Sequence, residues 1–206
     1  MAILALVRHG ESTWNARGIW TGWANPPLSQ KGIEEAKQAG KLLKDIKFDL
    51  AYTSSSLIRA EQTLEEIEKV LGVKLVTFEN SALNERDYGS YTGKNKWDIL
   101  KELGEEKFNK LRRGWNIPVP NGETLKDVYN RVVPYYESEI LPKIMQGKNV
   151  LISAHGNSLR ALVKYHDGLS DSDVENLEIA TGEVLIYKID KNGKVTSKEI
   201  RHSITI

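Results

Sequence analysis

Three short segments carry residue types suited to handling a phosphoryl group. Arg8-His9-Gly10-Glu11-Ser12 follows an apolar run over residues 2–7. Thr53-Ser54-Ser55-Ser56 closes a second apolar run, with Arg59 one helical turn further on. Ala154-His155-Gly156-Asn157-Ser158 follows a third run, over residues 149–153. A neutral imidazole, with an ordinary pKa of about 6.5, is largely deprotonated at pH 7, so one ring nitrogen can attack phosphorus without a base. The phosphohistidine so formed splits one displacement into two. Arginine supplies a planar fork of donors that matches phosphate oxygens. Glycine after each histidine permits close backbone approach, and the helix start that follows offers free N–H groups to an anion. A single histidine after a strand is ordinarily a packing residue. Two strand-end His-Gly pairs with Arg8 and Arg59 form a different pattern. His166 and His202 lack that setting and are read as structural.

Other chemistries fit less well. Gly89-Ser90-Tyr91-Thr92-Gly93-Lys94 has neither the spacing nor the final Ser/Thr of a P-loop. No HExxH occurs, and Asp171-Ser172-Asp173 follows no strand, so no metal is expected. With no cysteine, disulfides, thiolate nucleophiles and thiolate metal sites are excluded. Among 206 residues, 29 Lys+Arg balance 28 Asp+Glu, which argues against a nucleic-acid binder. Arg8 and His9 interrupt the first apolar run well short of a membrane span or signal peptide, so a cytoplasmic protein with no membrane partner is expected.

The elements that must position these groups alternate. Residues 2–7 read as a strand buried on both faces. Ser29 caps a helix carrying Ile33, Ala36, Gly40 and Leu43. A strand over Phe48 to Tyr52, a helix on Leu57 to Leu71 ended by Gly72, and a strand over Val73 to Thr77 follow. Helical spacing resumes at Trp97, Leu100, Leu103, Phe108 and Leu111, with a break at Gly104. Thr124 and Asp127 resemble a capping box for a long helix that Pro134 should kink. A buried strand over Asn149 to Ser153, a helix over Asn157 to Tyr165 and a hairpin around Asn192-Gly193 complete the chain. The order predicts one α/β domain over 1–206, a three-layer sandwich with a mostly parallel central sheet flanked by helices. In such sheets ligands bind beyond the carboxyl ends of the strands, which would bring His9 and His155 together.

Leu6-Val7-Arg8-His9-Gly10-Glu11-Ser12-Thr13-Trp14-Asn15 resembles the signature of the histidine phosphatase superfamily. More narrowly, Thr21-Gly22-Trp23, Leu83-Asn84-Glu85-Arg86, Tyr88-Gly89, Asn95-Lys96, Arg112-Arg113-Gly114 and the Ala154–Leu162 segment resemble the 2,3-bisphosphoglycerate-dependent phosphoglycerate mutases, over roughly residues 3–189. The resemblance implies an isomerase of 3- and 2-phosphoglycerate in glycolysis and gluconeogenesis, primed by 2,3-bisphosphoglycerate and needing no metal. It implies that His9 is the phosphorylated nucleophile. Arg8, Arg59, His155 and Asn15 would hold the transferred phosphoryl group, with the Gly156 amide nearby. Glu85 would act as general acid and base. Ser12, Thr21, Gly22, Arg86, Tyr88, Lys96, Arg112, Arg113 and Asn157 would contact the rest of the substrate.

A phosphoglycerate has a carboxylate as well as a phosphate, so a second cationic group is needed at its far end. Three departures accompany the resemblance. Few residues separate Arg113 from Asn121-Gly122-Glu123, Asp87 stands where histidine is common, and no long tail follows the last strand before Ile206. The short segment and the missing tail lead to the expectation of a monomer or small homo-oligomer with a looser lid. They also keep a broad-specificity phosphomonoesterase, in which water takes the phosphoryl group, as the alternative.

Overall fold

A computed structural model describes residues 1–202. The end of the chain at Ile206, and with it the expected lack of a closing tail, lies outside the described residues. In chain order the strands are β1 (Ala2–Arg8), β2 (Leu50–Ser54), β3 (Val76–Asn80), β4 (Val150–Ala154), β5 (Val184–Ile189) and β6 (Val195–Arg201). The helices are α1 (Thr13–Ala16), α2 (Gln30–Leu42), α3 (Ile58–Leu71), α4 (Lys96–Leu103), α5 (Glu105–Arg113), α6 (Leu125–Tyr135), α7 (Leu141–Met145), α8 (Gly156–Asp167) and α9 (Asp171–Asn176). The strands form one sheet in the order β3-β2-β4-β1-β5-β6, in which β3, β2, β4 and β1 run parallel and β5 and β6 add antiparallel.

The apolar run of β1 explains the layering. Successive side chains leave a strand on opposite faces. Leu4 and Leu6 enter a core with Val128 and Val132 of α6 and Leu159 and Leu162 of α8. Ala5 and Val7 enter a second core with Ala39 of α2, Leu43, and Leu64 and Ile67 of α3. Each fully buried aliphatic side chain contributes roughly 1.5–3 kcal/mol, so the central strands are fixed by both layers. A third cluster of Trp20, Ile99, Phe108, Leu111 and Val119 joins α4 and α5 to the rest beyond the carboxyl ends of the strands. His166, left structural on sequence, lies in the first core region against the rings of Tyr136, Tyr165 and Tyr187.

Several boundaries differ from expectation for local reasons. Gly72 takes a left-handed conformation at φ 67°, and the N–H of Val73 bonds back to Glu68 O. The Glu68 carboxylate then accepts from Leu75 N–H at 2.8 Å, so β3 starts only at Val76. β2 likewise begins at Leu50, because Phe48 is spent on the core before the ladder starts. The kink expected at Pro134 falls later, as a π turn over Tyr136–Ile140 that precedes Pro142 in α7. The wider turn accommodates a second proline, which also lacks the N–H that an α-helix requires. Gly104, at φ 75°, divides α4 from α5 as expected.

One close approach sets the position of His9. A methyl group on Gly10 would collide with the carbonyl oxygen of Gly32 in α2, and one on Gly32 would collide with the carbonyl of Glu11. Both obstacles are backbone and cannot rotate away. Gly10→Ala is therefore expected to destabilise the fold by about 1–3 kcal/mol or more, read as a lower denaturant midpoint at unchanged slope.

Candidate active site

Parallel pairing of β1 with β4 sets Arg8 opposite Ala154, so the next residues of both strands emerge side by side. The His9 N–H continues the ladder to Ala154 O at 2.9 Å. The rings of His9 and His155 stand 5.0 Å apart at 61°. His9 Nδ1 lies 2.6 Å from the carbonyl oxygen of Gly10, which can only accept, so Nδ1 carries the proton and the lone pair is on Nε2. Arg59, wholly buried in the first turn of α3, donates from Nε to that Nε2 at 3.3 Å. Its other nitrogens are anchored on Ala24 O and Gly22 O, both at 2.9 Å. Thr63, one turn along α3, receives the Gly10 N–H and steadies the loop from behind.

Electrostatics keep both rings neutral. Burial, then the charges of Arg59 and Arg8, hold His9 well below the ordinary imidazole value against a small opposing effect of Gly10 O. Burial and Arg59 do the same to His155. Burial lowers Arg59 to about 10. A cavity opens at this point. Beyond Arg8 and Arg59 its wall carries Lys96, Arg112, Arg113 and Arg160. Burial, reinforced by Arg112 and Arg8, pushes Lys96 down to about 8.

Glu85 faces the same cavity. Its Oε1 accepts from Arg86 N–H (2.7 Å), Asn157 N–H (3.1 Å) and Asn157 Nδ2 (2.9 Å), while its Oε2 has no hydrogen-bond partner among the described residues. The loop that presents it is clamped from α6: Arg131 donates to the carbonyls of Ala82, Asn84 and Glu85 and pairs with the Glu123 carboxylate at 2.8 Å. A nucleophilic nitrogen, a carboxylate oxygen without a partner and a cationic wall can together move a phosphoryl group and a proton. Among the described residues no group of three or more His, Asp or Glu gathers to hold a metal ion.

The sequence profile of the histidine phosphatase superfamily (branch 1) matches residues 4–199. The chain belongs to the histidine phosphatase superfamily. It is similar to a 2,3-bisphosphoglycerate-dependent phosphoglycerate mutase of Chelativorans sp. (strain BNC1), with 50% identity over 96% of this chain and 97% of that one. It is also similar to a phosphoglycerate mutase of Schizosaccharomyces pombe, with 48% identity over 96% and 95%. Among solved structures it resembles YhfR of Bacillus stearothermophilus, with a TM-score of 0.81 and 27% identity over 95% of this chain and 94% of that one.

In this histidine phosphatase most of the expected site residues do line the cavity. Arg8, His9, Asn15, Thr21, Gly22, Arg59 and Glu85 do so, as do Tyr88, Lys96, Arg112, Arg113, Gly156 and Asn157. Three do not. His155 is fully buried behind the lining, with Nε2 2.7 Å from Ser54 Oγ and Nδ1 without a partner among the described residues. Ser12 is fully buried and caps α1, where its backbone N–H and Oγ both donate to Asn15 Oδ1 and orient that side chain instead of meeting a ligand. Arg86 is a correction to the expected substrate contacts. It is wholly buried and donates to three backbone carbonyls, of Glu123, Leu111 and Ile117, at 2.6–3.1 Å. It ties the loops together and has no face toward the cavity.

Sequence reasoning passed over other contributors. Arg160 lies one turn after Asn157 on the same face of α8 and donates to Asn157 Oδ1 at 2.9 Å, a spacing that could have flagged it. Trp20, Leu177, Glu178 and Ile179 complete the wall. Trp20 borders the Thr21-Gly22-Trp23 motif, whereas the segment of Leu177 to Ile179 carried none. Among the described residues no helix is long and apolar enough to cross a membrane.

Proposed function

We propose that the protein interconverts 3-phosphoglycerate and 2-phosphoglycerate through phosphorylated His9. One observation carries the reading: a single cavity holds the lone-pair nitrogen of His9, the unpartnered Oε2 of Glu85 and a second cationic group of Lys96, Arg112 and Arg113. A phosphate monoester alone needs no second cationic end, whereas a phosphoglycerate does.

The cavity also fits 2,3-bisphosphoglycerate as primer. The buried Arg8 Nε, on a residue of the cavity wall, has no partner among the described residues, so a donor is free beside the nucleophile for a phosphate oxygen. Arg8, Arg59 and Asn15 would hold one phosphate, and Lys96, Arg112 and Arg113 the far end. When bound, 2,3-bisphosphoglycerate supplies the phosphoryl group that loads His9.

The residues then act as follows. Phosphorylated His9 gives up its phosphoryl group to the free hydroxyl of 3-phosphoglycerate: the N–P bond breaks, the new O–P bond forms, and Glu85 Oε2 takes the hydroxyl proton. In the return step His9 Nε2 attacks the other phosphorus, and Glu85 returns the proton to the departing oxygen. Arg59 remains beside the reacting nitrogen, where fixed positive charge stabilises the equatorial oxygens in both directions. Burial of His9 limits water, which would otherwise hydrolyse the loaded imidazole.

A coupled assay from 3-phosphoglycerate, with and without added 2,3-bisphosphoglycerate, tests the reading. Isomerisation that depends on the primer is expected. Phosphate release from many unrelated esters, with negligible 2-phosphoglycerate, would replace it with the phosphomonoesterase.

The titration of Lys96 gives a pH signature. Its ammonium is charged below about 8 and neutral above. The far-end anion therefore loses one cationic partner as pH rises. KM for 3-phosphoglycerate is expected to climb between about pH 8 and 9 while kcat changes little, and Lys96→Arg should move that rise to higher pH. A flat KM across this range would show that Lys96 does not meet the substrate.

A further inference from the structure

The cavity contains a second carboxylate that the reaction leaves without a task. Glu178 stands at the mouth, in the segment between α9 and β5, with Oε2 2.8 Å from Nη2 of Arg113. Its side chain is 65% exposed and that of Arg113 is 29% exposed. The backbone on both sides is tied down. Leu177 N–H bonds to Val174 O, Ile179 O accepts from Arg8, and Ala180 N–H donates to the Glu183 carboxylate. The backbone of Arg113 is held as well, its carbonyl accepting from Arg160 at 2.8 Å. Two fixed strips of backbone thus meet through two side chains, and parting the pair requires only rotamer changes.

The ion pair of Glu123 with Arg131 shows the contrast. There both side chains are 20% exposed, and the guanidinium is further bound to three carbonyls, so that pair is structural. Glu178 has Arg113 as its one side-chain partner among the described residues. An exposed pair of this kind contributes little, because water and salt screen it. The same Arg113 also lines the cavity beside Arg112 and Lys96, where a ligand's far-end anion would lie.

We propose that Glu178 is an exchangeable counter-ion, which occupies Arg113 in the free enzyme and yields it to the anionic group of the ligand that lies away from His9. The inference rests on the reading that Arg113 meets that far-end group. Its consequence is a built-in weakening of affinity for doubly anionic ligands. The displaced carboxylate stays at the mouth, competes for Arg113 and speeds release. Inorganic phosphate, seated at His9 and Arg59, leaves the pair intact and is indifferent to Glu178. Glu178 acts through Arg113 and does not touch the reacting atoms.

The test compares wild type, Glu178→Gln, Arg113→Gln and the double variant by titration calorimetry with 3-phosphoglycerate and, separately, inorganic phosphate. Glu178→Gln is expected to bind 3-phosphoglycerate about two- to fivefold more tightly, the scale of one exposed ion pair. Its affinity for inorganic phosphate should be unchanged, and the gain should vanish when Arg113 is also replaced. Unchanged or weaker 3-phosphoglycerate binding by Glu178→Gln overturns the proposal, since Glu178 would then merely hold Arg113 in place. A gain that survives in the double variant, or extends equally to inorganic phosphate, overturns it too, as a general charge effect. The isomerase assay stands apart: a protein that shows the binding pattern but no isomerisation keeps this inference and loses the assigned reaction.

Discussion

His9→Ala is expected to abolish isomerisation of 3-phosphoglycerate, lowering kcat on the order of 10⁴-fold or more, because no other group can form the covalent intermediate. Wild-type protein incubated with 2,3-bisphosphoglycerate should gain the mass of one phosphoryl group, labile in acid, and the variant should gain none. The structure makes this a sharp test, since a second imidazole lies only 5.0 Å away. The two rings are not equivalent. His9 donates from Nδ1 to Gly10 O and directs the lone pair of Nε2 into the cavity beside Arg59. His155 lies behind the lining with Nε2 engaged by Ser54. His9→Ala removes two side-chain hydrogen bonds, to Gly10 O and from Arg59, of about 1 kcal/mol each, so the variant should remain folded. An adduct that persists in His9→Ala would transfer the nucleophile's role to His155 and overturn the assignment.

The part of this arrangement that was legible in sequence is the part that backbone periodicity dictates. Apolar runs such as residues 2–7 and 149–153 announce strands buried on both faces, and a parallel sheet brings the ends of such strands together. That places His9, His155 and Arg59 in one region before any contact is known. The strand limits were less legible, because β3 depends on the Glu68 carboxylate reaching Leu75 N–H across a loop. Arg86 shows the same difficulty at the site. Beside Glu85 it reads as a ligand contact, yet the return paths of the chain near Leu111, Ile117 and Glu123 deliver three carbonyls to its guanidinium. Arg131 shows the reverse. On α6 it belongs to no motif, but the loop of Ala82 to Glu85 folds over it and makes it the clamp for the segment that presents Glu85. Where a long cation finds its partners is settled by loop crossings that local pattern does not encode.

Glu85→Gln should separate proton transfer from binding. The carbonyl oxygen of glutamine can accept the same three donors that now meet Glu85 Oε1, from Arg86 N–H, Asn157 N–H and Asn157 Nδ2. The loop clamp by Arg131 acts on backbone carbonyls and is untouched. Only the free Oε2 changes, from an oxygen that can take and return a proton to an amide that cannot. Loss of general acid–base catalysis at a positioned group is expected to lower kcat for isomerisation by about 10²–10⁴-fold. KM for the anionic substrate should not rise, since the change removes a negative charge from a cationic cavity. The decisive comparison uses p-nitrophenyl phosphate, whose leaving group departs as a stable anion without help from an acid. Phosphorylation of His9 by that ester, followed by the burst of p-nitrophenolate, should fall by less than about tenfold in the same variant. Equal losses with both phosphoryl donors would mean that Glu85 shapes the cavity and does not carry the proton, and the acid–base step would have to be reassigned.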